Sequence, residues 1–200
     1  MKFLAVTALL PLLASALPRG GPMAKRQTDI PPFTVTSSRS GSPIHLLPLQ
    51  AAGQSFWLGG SPATYCPTGE GLECPPGKET VIVGASSLDV EVPGGQIIYV
   101  NPSGALSFSQ AHSASIPPGS SVGPFQYQPG QPFGHWSFTG LNTTGFMACP
   151  QPQGNTTQWR VYAATPKATV PTGNVNDCLG FDALAVPWKS NYTAAAWQYI

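Results

Sequence analysis

Three histidines, His45, His112 and His135, and eight carboxylates are the side chains from which acid–base chemistry could be built in this chain. A nucleophilic triad needs a histidine between a serine and a carboxylate, and the sequence offers no Gly-x-Ser-x-Gly elbow from which to start one. Glycoside hydrolysis needs two carboxylates facing each other across a cleft. Asp89 and Glu91 share one face of one strand pattern, Glu70 and Glu73 fall inside a nine-residue Cys-to-Cys loop, and Asp177 and Asp182 bracket Cys178. None of these makes an acid/base pair, so no catalytic residue is assigned and the chain is expected not to be an enzyme. Metal binding fails on spacing, because Cys66, Cys74, Cys149 and Cys178 show no Cys-x-x-Cys and no paired histidine. No metal, cofactor or cofactor-binding residue is expected.

Four cysteines in an exported chain form a disulfide framework, with three connectivities open. The favoured one is Cys66–Cys74 with Cys149–Cys178. Its first loop, Cys-Pro-Thr-Gly-Glu-Gly-Leu-Glu-Cys, has the Gly and Pro that a tight excursion requires. Aromatic side chains are the other chemical resource. The five tryptophans could include a flat platform on which a sugar ring stacks, although alternating aromatics in a β protein ordinarily build the core. Trp188, between Pro187 and a polar loop, is the first candidate for sugar stacking.

The export argument comes from the N-terminus. Lys2 precedes an apolar run over residues 3–13, and Ala14-Ser15-Ala16 has the small-x-small pattern of a signal-peptidase site, so residues 1–16 read as a signal peptide cleaved after Ala16. The run is too short to span a bilayer. Residues 17–26 end in Lys25-Arg26 and read as a pro-segment cut after Arg26, an ordinary exposed basic pair being the alternative. The C-terminal Ala194–Ile200 is too short for a GPI tail, so no membrane anchor is expected. Asn142-Thr143-Thr144, Asn155-Thr156-Thr157 and Asn191-Tyr192-Thr193 are acceptor triplets for N-glycosylation, which places Asn142, Asn155 and Asn191 on surface loops. Residues 27–200 carry five basic and eight acidic side chains, a net charge of about −3. That balance argues against a nucleic-acid or anionic-membrane partner, which would need a basic patch.

The elements that must position these residues are strands. Charged residues make up 8% of the chain, against roughly a quarter in an average domain, while 22 Gly and 23 Pro punctuate short apolar runs. Residues 27–42 read as a flexible Ser/Thr/Pro-rich lead-in holding at most a strand at Phe33–Thr36. Residues 43–200 read as one all-β domain. Strands are expected at Ile44–Leu49, Ser55–Leu58, Thr80–Val83, Leu88–Val92, Gln96–Val100, Ala105–Ser109, His135–Thr139, Gly145–Cys149, Gln158–Ala163, Phe181–Val186 and Ala195–Tyr199. Asn101-Pro102-Ser103-Gly104 is a type I turn within a hairpin. No stretch sustains a 3.6-residue apolar period, so helix is expected to be minor. Two segments near the C-terminus share a Gly-Phe-x-Ala start, a sequon and a Trp-x-Tyr-like end. Repeated hairpins of that kind favour a closed β-barrel or β-trefoil-like fold, with a β-sandwich as the alternative.

Several strings also resemble one family. Residues 42–48 (Ser-Pro-Ile-His-Leu-Leu-Pro), 53–59 (Gly-Gln-Ser-Phe-Trp-Leu-Gly), Tyr65-Cys66-Pro67, 92–96 (Val-Pro-Gly-Gly-Gln), 119–125 (Gly-Ser-Ser-Val-Gly-Pro-Phe), 178–187 (Cys-Leu-Gly-Phe-x-Ala-Leu-Ala-Val-Pro) and Ala196-Trp197-Gln198-Tyr199 are similar to the fungal cell-wall PhiA family and related IgE-binding mould antigens. The resemblance runs from about residue 39 to the end and contains all four cysteines. It implies a secreted wall protein associated with phialide and conidium (asexual spore) development, often allergenic. It brings no catalytic residues. A non-catalytic protein that binds wall glucan or chitin, and a secreted effector or antigen, are the alternatives, and wall polysaccharide is the partner expected.

Overall fold

The computed structural model describes residues 30–69, 72–153 and 156–200, so Ala16, Arg26 and Asn155 lie outside the described residues. The first strands are β1 (Phe33–Ser38), β2 (Leu49–Ala52), β3 (Ser55–Leu58), β4 (Thr64–Tyr65), β5 (Ile82–Val83) and β6 (Ser87–Leu88). They are followed by β7 (Gln96–Val100), β8 (Leu106–Phe108), β9 (Phe125–Gln128), β10 (Gly134–Phe138), β11 (Phe146–Gln153), β12 (Thr156–Ala163), β13 (Leu179–Pro187) and β14 (Gln198–Tyr199). One 3-10 turn, Val175–Asp177, precedes β13, and there is no α-helix among the described residues. The all-β expectation holds.

β1 shows how the local sequence makes a strand. Phe33, Val35 and Ser37 are buried while Thr34, Thr36 and Ser38 are half-exposed, the period-2 pattern of a β-rich Phe-Thr-Val-Thr run. It pairs with β13 over six residues, from Phe33↔Pro187 to Ser38↔Asp182. The segment read as lead-in therefore contains an integral strand.

The pairings run β1-β5-β6-β7-β8-β3-β12-β11-β13, and the β1–β13 contact returns the path to its first strand. β10 and β9 extend from β13, β2 pairs with β3, and β14 pairs with β4 in a small separate sheet. β13 changes partners along its length: Leu179–Phe181 face β11, whereas Asp182–Pro187 face β1. The large sheet thus curls around one main core, built on Phe33, Phe56, Phe108, Trp136, Phe138 and Phe146. Trp136 is 2% exposed, stacks on Phe125 at 5.5 Å and 13°, and donates its indole N–H to the Ala85 carbonyl at 2.9 Å.

Several segments differ from their sequence reading. Ile44–Leu47 is turn, not strand, and the hairpin begins at Leu49. Pro43 and Pro48 bring no ladder donor, and the Ser37 hydroxyl instead donates to the Leu47 carbonyl at 3.0 Å, folding the loop over buried Ile44. The β2–β3 turn is Gly53-Gln54, both at positive φ (59° and 52°), as a two-residue hairpin turn demands. Of Leu88–Val92 only Leu88 lies in a strand, as the last residue of β6. Beyond it, the Glu91 and Val92 N–H groups donate to the carbonyls of Ala196 and Trp197, so the alternating run serves the C-terminal segment instead of a ladder. Correspondingly, Ala195–Tyr199 is reduced to Gln198–Tyr199. The suggested repeat is realised once: β11 and β12 form a hairpin, but β13 and β14 pair with other strands. The Asn101–Gly104 turn is as read, with the Gly104 N–H donating to the Asn101 carbonyl at 2.8 Å.

Both disulfides follow the favoured connectivity, Cys66–Cys74 and Cys149–Cys178. The second joins β11 to the start of β13 and pins the 164–178 segment against the sheet. There Ala105, Met147, Tyr162, Ala168 and Val170 form a smaller second core around Cys149.

Candidate functional site

The histidines and the described carboxylates do not converge. His45 is exposed, and its Nδ1 accepts from the Arg39 backbone N–H at 3.2 Å. His112 is exposed on a loop at positive φ. His135 meets Asp182 at 3.0 Å on the surface, where both side chains are about half exposed. The carboxylates hold strand ends and loops. Glu79 accepts the Trp188 indole N–H at 2.9 Å, Glu91 accepts the Thr193 hydroxyl, and Asp177 accepts from Asn174 at 3.3 Å. Asp89 lies half-buried beside the C-terminal segment. Burial raises its pKa above the ordinary 3.8, a hydrogen bond from the Ala195 backbone opposes that shift, and neighbouring Glu91 adds to it. Burial also raises the Tyr199 phenol, whose hydroxyl donates to the Glu79 carbonyl at 2.6 Å and accepts from the Val81 N–H at 3.2 Å.

Trp188, the sequence candidate for sugar stacking, is half-buried just past β13. Its backbone N–H donates to the Pro32 carbonyl at 2.8 Å and its indole N–H to Glu79, so it clamps the end of β13 to β1 and the residue-79 loop. Asn142 and Asn191 are both exposed, Asn142 at φ 55° in a tight turn, consistent with acceptor sites on loops.

Register brings together a set that the linear sequence disperses. β3 and β12 pair so that Trp57 lies opposite Arg160 and Leu58 opposite Trp159. The Arg160 guanidinium sits between two rings, its Cζ 5.9 Å from the Trp57 centroid and 5.8 Å from that of Tyr162. Its Nη2 donates to Ser55 Oγ at 3.0 Å. Burial pushes the Tyr162 hydroxyl pKa up, while the charge and hydrogen bond of Arg160 work against the shift. Trp57 is fixed as well, by its indole N–H donating to the Ala52 carbonyl at 3.0 Å. Alongside runs a groove of about 630 Å³ lined by Leu47, Trp57, Ser61, Thr157, Gln158 and Trp159, among others. About a hundred residues separate Trp57 from Arg160, so no spacing in the sequence points to the pair. The one available sign was the cluster Gln158-Trp159-Arg160 on an otherwise weakly charged chain.

A family model described as PhiA-like secreted protein matches residues 33–200, which takes in every strand from β1 to β14. The chain belongs to this family. An uncharacterized secreted protein of Arthroderma benhamiae is 49% identical over 203 residues, covering the whole of both chains. No solved structure matches. This PhiA-like chain is therefore a secreted protein, which supplies the oxidising compartment that its two disulfides need. The match begins at Phe33, earlier than the strings that carried the resemblance, because β1 is part of the folded body.

Proposed function

We propose that this secreted chain is a non-catalytic structural component of the fungal cell wall that serves phialide and conidium development. The observation that carries the reading is the family match across the entire folded body. The construction of that body agrees with it. Two disulfides and a sheet whose strand pairings return to their start suit a protein that must persist outside the cell, and the carboxylates Glu79, Glu91, Asp177 and Asp182 are engaged in tying loops and strands together. On this reading Asn142, Asn155 and Asn191 carry N-glycans, the partner is wall polysaccharide, and recognition by IgE would follow from abundance at the spore surface. A gene deletion scored for conidium number and phialide shape, with fractionation of the tagged chain, tests it. The expected result is malformed or sparse phialides and most of the protein in the wall fraction. Normal sporulation with nearly all of the protein in the medium would replace this reading with that of a secreted effector or antigen.

A further inference from the structure

One face of the β3–β12–β11 sheet is roofed at one end and open at the other. Antiparallel register sets Trp57 opposite Arg160, Arg160 opposite Cys149, and Gln158 opposite Gln151. Alternation puts Gln158, Arg160 and Tyr162 on the same side of β12. At the Tyr162 end the second core and the Cys149–Cys178 disulfide cover this side. At the other end Gln158 is exposed and Trp57 half-exposed. Arg160, between the two ends, forms no salt bridge among the described residues, and its buried Nε has no hydrogen-bond partner. Grooves lie on both sides of this row. The first wraps the end of the β3–β12 pairing and is lined from both faces of β12, by Trp57 and Gln158 and by Thr157 and Trp159, and the second, of about 610 Å³, runs past Arg160, Gln151, Tyr162, Ser103 and Thr169. Neither is lined by a carboxylate.

We propose that this Trp57–Arg160–Gln158–Gln151 row is the binding surface for a neutral polysaccharide chain. A pyranose presents a flat C–H face and a rim of hydroxyls. A fixed indole receives the first, and amide and guanidinium groups bind the second, which is the mixture of apolar wall and few placed polar groups that a selective site requires. The ring need not be ordered on binding, because the Ala52 carbonyl and Arg160 already hold it, and preorganisation of that kind lowers the entropic cost of association. Grooves on either side of one strand accommodate several linked residues better than a single sugar. An acidic polymer is disfavoured, because one guanidinium on residues 33–200, which carry five basic and seven acidic side chains, does not build an attractive field.

The proposal rests on the wall-protein reading only for the origin of the glycan. Its test uses the full secreted chain, titrated with laminarin (a soluble β-1,3-glucan) by tryptophan fluorescence and incubated with insoluble glucan and chitin. The expected result is binding to at least one of these polymers that Trp57→Ala weakens about tenfold or more, that Gln158→Ala also weakens, and that Trp188→Ala leaves unchanged. Gln158 is exposed, so its variant reports on the surface even if Trp57→Ala fails to fold. Absence of binding to all three polymers, binding that survives Gln158→Ala and a folded Trp57→Ala, loss of binding in a folded Trp188→Ala, or preference for polygalacturonate over laminarin would each overturn the proposal. A chain found in the wall fraction that binds none of the polymers would overturn this site and leave the wall reading standing. Glucan binding lost at Trp57 in a chain released wholly to the medium would do the reverse.

Discussion

At the scale of single residues, Gln96 closes the molecule. Its side chain is 1% exposed, its Nε2 donates to the carbonyls of Ser109 and Tyr199 at 2.9 Å each, and its Oε1 accepts the Tyr199 N–H at 2.8 Å. One amide thus satisfies three backbone groups on β14 and the end of β8. Leucine there would bury those groups without partners, at about 1–3 kcal/mol each, offset partly by water entry. Gln96→Leu is therefore expected to cost at least ~2 kcal/mol, read as a lower urea midpoint. Asp89 gives a prediction of opposite sign. Its pKa is raised in the folded state, so folding favours the protonated form and its stabilising effect declines as pH rises above the ordinary value of 3.8. Asp89→Asn, which still accepts from the Ala195 N–H, should raise the melting temperature at neutral pH. The gain should vanish as the pH falls below that ordinary value. A constant difference between the two proteins from pH 7 to pH 3 would refute the assignment.

At the scale of elements, the two disulfides close loops of different length, with separations of 8 and 29 residues. Chain entropy alone makes them worth roughly 2.5 and about 3.5 kcal/mol. The difference widens in practice, because Cys149 is fully buried and its partner anchors the second core, whereas the described residues of the Cys66–Cys74 loop are half-exposed or exposed. Cys149→Ser/Cys178→Ser should lower the denaturation midpoint more than Cys66→Ser/Cys74→Ser, and only the former should alter ligand binding at Arg160. Gly104 makes a similar point at a turn. Its φ is 88°, and an added Cβ would lie 3.0 Å from the Ala168 Cβ, so Gly104→Ala should destabilise both the hairpin and the packed segment beside it. The Asn101–Gly104 turn, with its chemistry written into it, was legible in sequence. Ile44–Leu47 was not, because the Ser37 hydroxyl that takes its carbonyl comes from another strand.

At the scale of the whole molecule, a secreted body of low charge depends on its surface for solubility. Asn142 and Asn191 stand exposed on loops, away from the buried core residues. Peptide-N-glycosidase should therefore lower the mass of the secreted protein, with Asn142→Gln and Asn191→Gln each removing one glycan and shifting the melting temperature little. The candidate binding surface belongs to this scale too. Trp188 drew notice in the sequence because a tryptophan follows a proline before a polar loop, yet in the fold it is a clamp. Nothing in the sequence sets Trp57 apart from the other tryptophans, and only the β3–β12 register gives it Arg160 as a neighbour.

Local chemistry by itself pointed to export and to a strand-rich chain, and it favoured one of three cysteine connectivities, which the fold then decided. Leader composition, Pro/Gly punctuation and loop length act over a few residues and survive without a fold. Which strands meet, and therefore which side chains share a face, was decided by tertiary structure. Antiparallel register is a long-range choice set by burial of one common core, and no local spacing encodes that Trp57 and Arg160, or Ser37 and Leu47, will touch.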